Sequence, residues 1–125
     1  MYFTDLNKTK PAETPAELDT KKVPVSVQWL LGEPEGAPSF EMRYLTFPPS
    51  AETEYHSHAW EHEVFVVKGH GQLKTEDKFL ELKPNDAVLL LPGEGHQLRN
   101  SSAVENFEII SVVPKGTRNF SCQCG

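Results

Sequence analysis

The stretch His56-Ser57-His58-Ala59-Trp60-Glu61-His62-Glu63-Val64-Phe65-Val66-Val67-Lys68-Gly69 decides how the chain is read. Three of the chain's five histidines fall within seven residues of it. On a strand, residues i and i+2 share a face and lie about 7 Å apart, so His56 and His58 can reach one metal ion together. His62 cannot join them on a straight strand, because it would lie roughly 20 Å from His56 while a metal–nitrogen bond is about 2.1 Å. The chain must therefore bend at Ala59-Trp60-Glu61. His62 then opens a second strand that faces the same interior. Glu63 is the competing ligand, but residues 62 and 63 point to opposite faces of a strand.

Outward from this stretch the chain reads as short strands between turn signals. Val25 to Leu31 ends in Gly32-Glu33-Pro34-Glu35-Gly36, and Phe40 to Phe47 ends at Pro48-Pro49. Thr53 to His58 and His62 to Lys68 follow. Gln72 to Thr75 and Lys78 to Leu82 form an expected hairpin around Glu76-Asp77. Ala87 to Leu91, His96 to Arg99 and Asn106 to Val113 complete the series. Turns at this spacing without helical periodicity predict an all-β sandwich or closed barrel. We divide the chain into an irregular N-terminal arm (1–22), a barrel (23–116) and a C-terminal tail (117–125). Within the arm, Thr14-Pro15-Ala16-Glu17 can cap one helical turn.

The second part of the pattern is Pro92-Gly93-Glu94-Gly95-His96, which sets a histidine just after a glycine turn. We expect its strand to face the first histidine pair across the barrel interior. With the first stretch it predicts one metal held by His56, His58, His62 and His96. A purely structural metal, or ordinary core histidines, would use the same residues. His70, the remaining histidine, falls in an expected hairpin turn and reads as a solvated loop residue.

These two segments resemble the cupin family. Its first motif is His-x-His, three or four residues, Glu, six residues, Gly. Its second is Pro-x-Gly, two residues, His, three residues, Asn. Here the first runs His56-x-His58, His62, Gly69, and the second Pro92 to His96 and Asn100. The resemblance spans residues 40–114 and implies a double-stranded β-helix, or jelly-roll barrel, with the metal inside. The sequence departs from the pattern with His62 in place of glutamate, shifted glycines at 93 and 95, and Asn85 where glycine often precedes Asp86. It is similar to a subgroup of small four-histidine cupins. That likeness implies manganese, a homodimer, and a pocket lined by residues such as Arg43 and Leu98.

Four neutral imidazoles leave a divalent ion its full charge, unlike the two-histidine, one-carboxylate site of iron oxygenases. An anionic or chelating small substrate would restore the missing negative charge. We therefore expect a metal-dependent enzyme, dioxygenase-like or isomerase-like. The alternative is a non-catalytic cupin that binds or senses a sugar or carboxylate. The intrinsic affinity order favours copper, nickel and zinc over manganese, and iron is a further alternative. Trp60 is either a packing residue at the bend or a pocket wall. Arg43 either faces solvent beside Glu41 or guards the pocket. Leu98 shares the parity of His96, and Ile109 and Ser111 are candidates for the far wall.

Composition excludes several other classes. The 125 residues are 38% hydrophobic and 24% charged, with net charge −6, which disfavours nucleic acid and anionic membranes. No run approaches the ~20 apolar residues of a membrane helix, and the start lacks signal-peptide features. The only cysteines are Cys122 and Cys124, so we expect a cytoplasmic location. That pair could chelate a second metal, form a strained disulfide, or be incidental.

Overall fold

The computed structural model describes residues 1–11, 23–117 and the backbone of Gln123–Cys124. The expected turn at Thr14 to Glu17 and Cys122 lie outside the described residues. Ten strands are described: β1 Ser26–Leu31, β2 Phe40–Phe47, β3 His56–Ser57, β4 His62–Lys68, β5 Gly71–Thr75, β6 Phe79–Leu82, β7 Ala87–Leu90, β8 His96–Asn100, β9 Phe107–Pro114 and β10 Gln123–Cys124. They form two five-stranded antiparallel sheets, in the orders β1-β2-β9-β4-β7 and β10-β3-β8-β5-β6. Among the described residues no helix is long and apolar enough to cross a membrane.

Strand parity explains how the two sheets close on one core. In β9 every second residue is buried: Phe107, Ile109, Ser111 and Val113 point inward. In β4 the inward set is His62, Val64 and Val66, and Glu63 and Phe65 face out. Phe47 and Phe107 meet with ring centroids 5.5 Å apart, and each is fully buried. Burying a phenylalanine is worth about 2–3 kcal/mol, so this pair anchors one end of the barrel. The histidines occupy positions in the same inward series, which puts them inside the barrel.

Three local features fix the strand ends. Gly69 has φ +81°, and a Cβ there would run into the carbonyl oxygen of Asn106, so only glycine turns the chain between the sheets at this point. His70 follows it and is exposed, but it lies on the connection from β4 to β5 and not in a hairpin turn. Asn85 stands at φ +78°, a left-handed position that asparagine tolerates. The arm touches β1 through Gln28, whose Nε2 donates to the carbonyls of Leu6 and Thr9, both at 3.2 Å.

Candidate metal centre

Each histidine reaches the centre by a different route. His56 on β3 stands directly opposite His96 on β8, and their ring centroids are 4.4 Å apart. His96 was expected across the interior; it is instead the cross-strand neighbour of His56 in the same sheet. The strand expected over Thr53 to His58 is also shorter, with only His56–Ser57 in a ladder. Hydrogen bonds of Thr53 tie the segment before this ladder to β8. Thr53 donates its N–H to Leu98 at 2.9 Å, its Oγ1 accepts from Leu98 N at 3.0 Å, and its carbonyl accepts from Gln97 Nε2 at 2.9 Å.

The bend after His58 is pinned from the second motif. Gly93 N–H donates to the His58 carbonyl at 2.8 Å. Beyond Ala59-Trp60-Glu61 the chain enters the opposite sheet at His62, which is therefore the histidine that faces the others across the barrel. His62 is 4% exposed, whereas Glu63 is exposed on the outer face.

The imidazoles are oriented for coordination. Nδ1 of His56 lies 2.7 Å from the Glu54 carbonyl, Nδ1 of His58 3.1 Å from that of Trp60, and Nδ1 of His96 2.9 Å from that of Glu94. A carbonyl only accepts, so each Nδ1 carries the proton and each Nε2 keeps its lone pair. This is the orientation in which metal-bound histidines are commonly held. Nitrogens of His56, His58 and His96 lie within 4.8 Å of one another, and these three residues could hold a metal ion. Two nitrogens on one metal with bonds of about 2.1 Å are about 3.0 Å apart at right angles and about 4.2 Å apart when trans, so the widest pair needs to draw in by roughly 0.6–1.8 Å. His62 Nε2 is 3.2 Å from His96 Nε2, close to the ~3.0 Å of two ligands at right angles. Nδ1 of His62 is buried without a hydrogen-bond partner. The donor set and its orientation fit a divalent metal.

The electrostatics agree with neutral, ligating imidazoles. Burial, reinforced by repulsion of its charged form from the Arg43 guanidinium and from a proton on His96, His58 or His56, lowers the pKa of His62 from 6.5 to about 2. Burial likewise lowers His96 to about 4, against the bond from Nδ1 to Glu94, which favours its charged form.

His56, His62 and His96 line an interior cavity with Arg43, Leu98, Ile109 and Ser111, and with Thr53, Leu45 and Val64. Only about 10 Å³ of it admits the centre of a water molecule, which is room for about one water. Arg43 is 3% exposed, so it does not face solvent. Its Nε donates to Ser111 Oγ at 3.3 Å, and its guanidinium lies 5.6 Å from the Trp29 ring centroid. Glu41 is buried as well, and its carboxylate accepts from the N–H groups of Glu33 at 2.9 Å and Gly116 at 3.3 Å. Trp60 is not in the cavity wall; it stacks on His58 with centroids 4.4 Å apart and 3° between planes.

Two further residues support the centre through contacts with distant parts of the chain. Thr53 clamps the first histidine segment to β8. Asn100 is 1% exposed, and its Nδ2 donates to the carbonyls of Phe47 at 2.9 Å, Pro48 at 3.1 Å and Glu105 at 2.7 Å. Asn100 stood in the second motif, but only the folded chain shows that it ties three segments together.

A two-sheet jelly roll with an interior histidine cluster defines the class of protein. The cupin-domain model matches residues 43–113, and the chain belongs to the cupin family. A cupin 2 domain-containing protein from Halorhodospira halophila is 31% identical with TM-score 0.75, over 81% of this chain and 70% of that one. The polyketide cyclase RemF from Streptomyces resistomycificus has TM-score 0.83 at 23% identity, over 99% of this chain and 84% of that one. A predicted oxalate decarboxylase from Thermotoga maritima has TM-score 0.76 at 17% identity, over 91% and 99%. At these last two identities the likeness is one of fold. No curated protein matches the sequence.

Proposed function

We propose that His56, His58, His62 and His96 hold one divalent ion, manganese by the subgroup likeness, and that the protein is a metal-dependent enzyme acting on a small anionic or chelating molecule. The observation that carries this reading is the orientation of the imidazoles: three Nδ1 groups committed to backbone carbonyls and a fourth ring entering from the facing sheet. Such a metal supplies Lewis acidity and a template for substrate and a second small reactant. The chain's own residues supply the rest. Arg43 brings a fixed positive charge to the cavity wall and favours an anion there. Leu45, Val64, Leu98 and Ile109 keep the wall apolar and exclude water. Ser111, which accepts from Arg43 Nε, keeps a hydroxyl proton to donate.

The reaction proposed is dioxygenase-like cleavage or isomerisation, the chemistry expected of a metal that acts as Lewis acid and template. Among the structural neighbours, one is named a polyketide cyclase and another a predicted oxalate decarboxylase, and oxalate is itself a chelating dianion. The test is oxygen uptake and product analysis with the manganese-loaded protein and a panel of β-dicarbonyl, enediol and dicarboxylate compounds. Turnover of a chelating anion supports the reading. Binding without turnover supports the alternative, a non-catalytic cupin that binds or senses a sugar or carboxylate. Tight binding of neutral and anionic analogues alike contradicts the role given to Arg43.

We further propose a homodimer. Phe65, Leu89 and Leu91 are exposed on or beside the outer face of the β1-β2-β9-β4-β7 sheet, and a second copy would cover them. Sedimentation equilibrium at micromolar concentration should give twice the chain mass; a monomer contradicts this.

A further inference from the structure

Strand β5 ends in Thr75, which lies between the two histidine motifs and belongs to neither. The ladder between β5 and β8 sets Thr75 directly opposite His96. On its other side His96 stands opposite His56. Thr75, His96 and His56 thus form one row across β5, β8 and β3. Residues directly opposite in an antiparallel ladder share a face of the sheet, with Cβ atoms about 4.5–5.5 Å apart. That face is the inner one, because Leu73 and Thr75 are buried and Lys74 between them is exposed. Thr75 is 8% exposed, and its Oγ1 is buried without a hydrogen-bond partner. The turn after β5 does not use the hydroxyl; there the Thr75 N–H donates to the Lys78 carbonyl at 2.9 Å.

A buried hydroxyl without a partner costs free energy that a valine of nearly the same shape would not. Among the described residues nothing offsets that cost. His96 offers no acceptor, because its Nε2 is committed to the metal and its protonated Nδ1 to the Glu94 carbonyl. We propose that Thr75 Oγ1 donates a hydrogen bond to the small anion bound at the metal centre. Thr75 is then a specificity residue that selects ligands with an acceptor oxygen, such as a carboxylate or an enolate. The inference rests on the histidine site and the anionic ligand proposed above. Thr75 is not among the residues that line the cavity with Arg43. It stands on the β5 side of His96, away from His56. The two residues therefore do different work: Arg43 supplies charge, and Thr75 supplies a neutral, directional donor.

The test uses the full chain loaded with Co(II), whose visible ligand-field bands report the metal centre, and oxalate as the probe. Oxalate should shift the bands of the parent protein saturably. Thr75→Val should bind cobalt with the parent's bands but hold oxalate at least about fivefold more weakly, the loss of one hydrogen bond. Thr75→Ser restores the hydroxyl and should stay within about twofold of the parent. Metal-free Thr75→Val should melt a few degrees higher, because an unpartnered polar group is gone. Thr75→Ala repeats the titration if Thr75→Val does not fold. Equal oxalate affinity in Thr75→Val and the parent overturns the inference and leaves the anionic-ligand reading standing. So does a Thr75→Ser as weak as Thr75→Val, which would assign the effect to shape. Loss of cobalt from Thr75→Val, or a lower Tm, marks a hydroxyl that the fold itself uses and also overturns it. A parent that binds cobalt without any response to oxalate overturns both the inference and the anionic-ligand reading. Failure of the parent to bind cobalt contradicts the histidine site as well.

Discussion

Acidification of the metal-free protein should cost stability in a window set by two buried histidines. Their folded pKa values, about 2 for His62 and about 4 for His96, lie below the 6.5 of the unfolded chain. The unfolded state therefore binds more protons below pH 6.5, and stability falls as pH drops through that value. Above it the contribution is flat. At pH 5 each group is almost fully protonated in the unfolded chain and largely neutral in the fold. The linkage integral gives a loss of roughly 2 kcal/mol from each, relative to pH 8. Together that is a large share of the ~5–15 kcal/mol that stabilises a domain. Ordinary carboxylates titrate near pH 4, so this window is mostly separate from theirs. The assay is urea unfolding after chelation, at pH 8, 6.5 and 5. With an m-value of about 2 kcal/mol/M, the midpoint should fall by about 2 M between the extremes. His62→Gln keeps a neutral polar group and should roughly halve the drop. A midpoint that stays constant from pH 8 to 5, or a drop that His62→Gln leaves intact, would refute the assignment of buried neutral imidazoles.

Other substitutions test the framework and the cavity. Asn100→Ala strands the buried carbonyls that Nδ2 serves and should cost about 3 kcal/mol, near 10 °C in Tm, read by calorimetry. Gly69→Ala meets both a left-handed backbone and the Asn106 carbonyl and should be far more damaging than Gly36→Ala, which has φ +88° but open space around a new Cβ. Thermal melts of the two variants compare them directly, and equal Tm losses would remove the steric argument. Arg43→Met should weaken binding of a carboxylate ligand at least tenfold by calorimetric titration, with metal content and affinity for neutral analogues unchanged.

Much of this architecture was legible because strand parity is a strict rule. Phe40–Phe47 and His62–Lys68 form strands with the bounds their sequence suggests. The same rule separated His62 from Glu63. What escaped depended on partners far along the chain. Nothing local shows that Thr53 is held by hydrogen bonds to Leu98 and Gln97 instead of a long ladder. The burial of Glu41 depends on N–H groups from Glu33 and Gly116, the latter 75 residues away, so alternation alone left Arg43 and Glu41 on either face. The position of His96 beside His56, and not opposite it, followed from sheet order, which periodicity does not encode.

The central claim is a metal held by four histidines, and metal stoichiometry tests it most directly. The protein purified without added metal, or reconstituted with manganese after chelation, is analysed by plasma mass spectrometry beside His56→Ala, His62→Gln, His96→Ala and Glu63→Gln. The account predicts about one ion per chain in the parent and in Glu63→Gln, and under about a tenth of that in the three histidine variants. Metal content that survives His56→Ala and His96→Ala would contradict it.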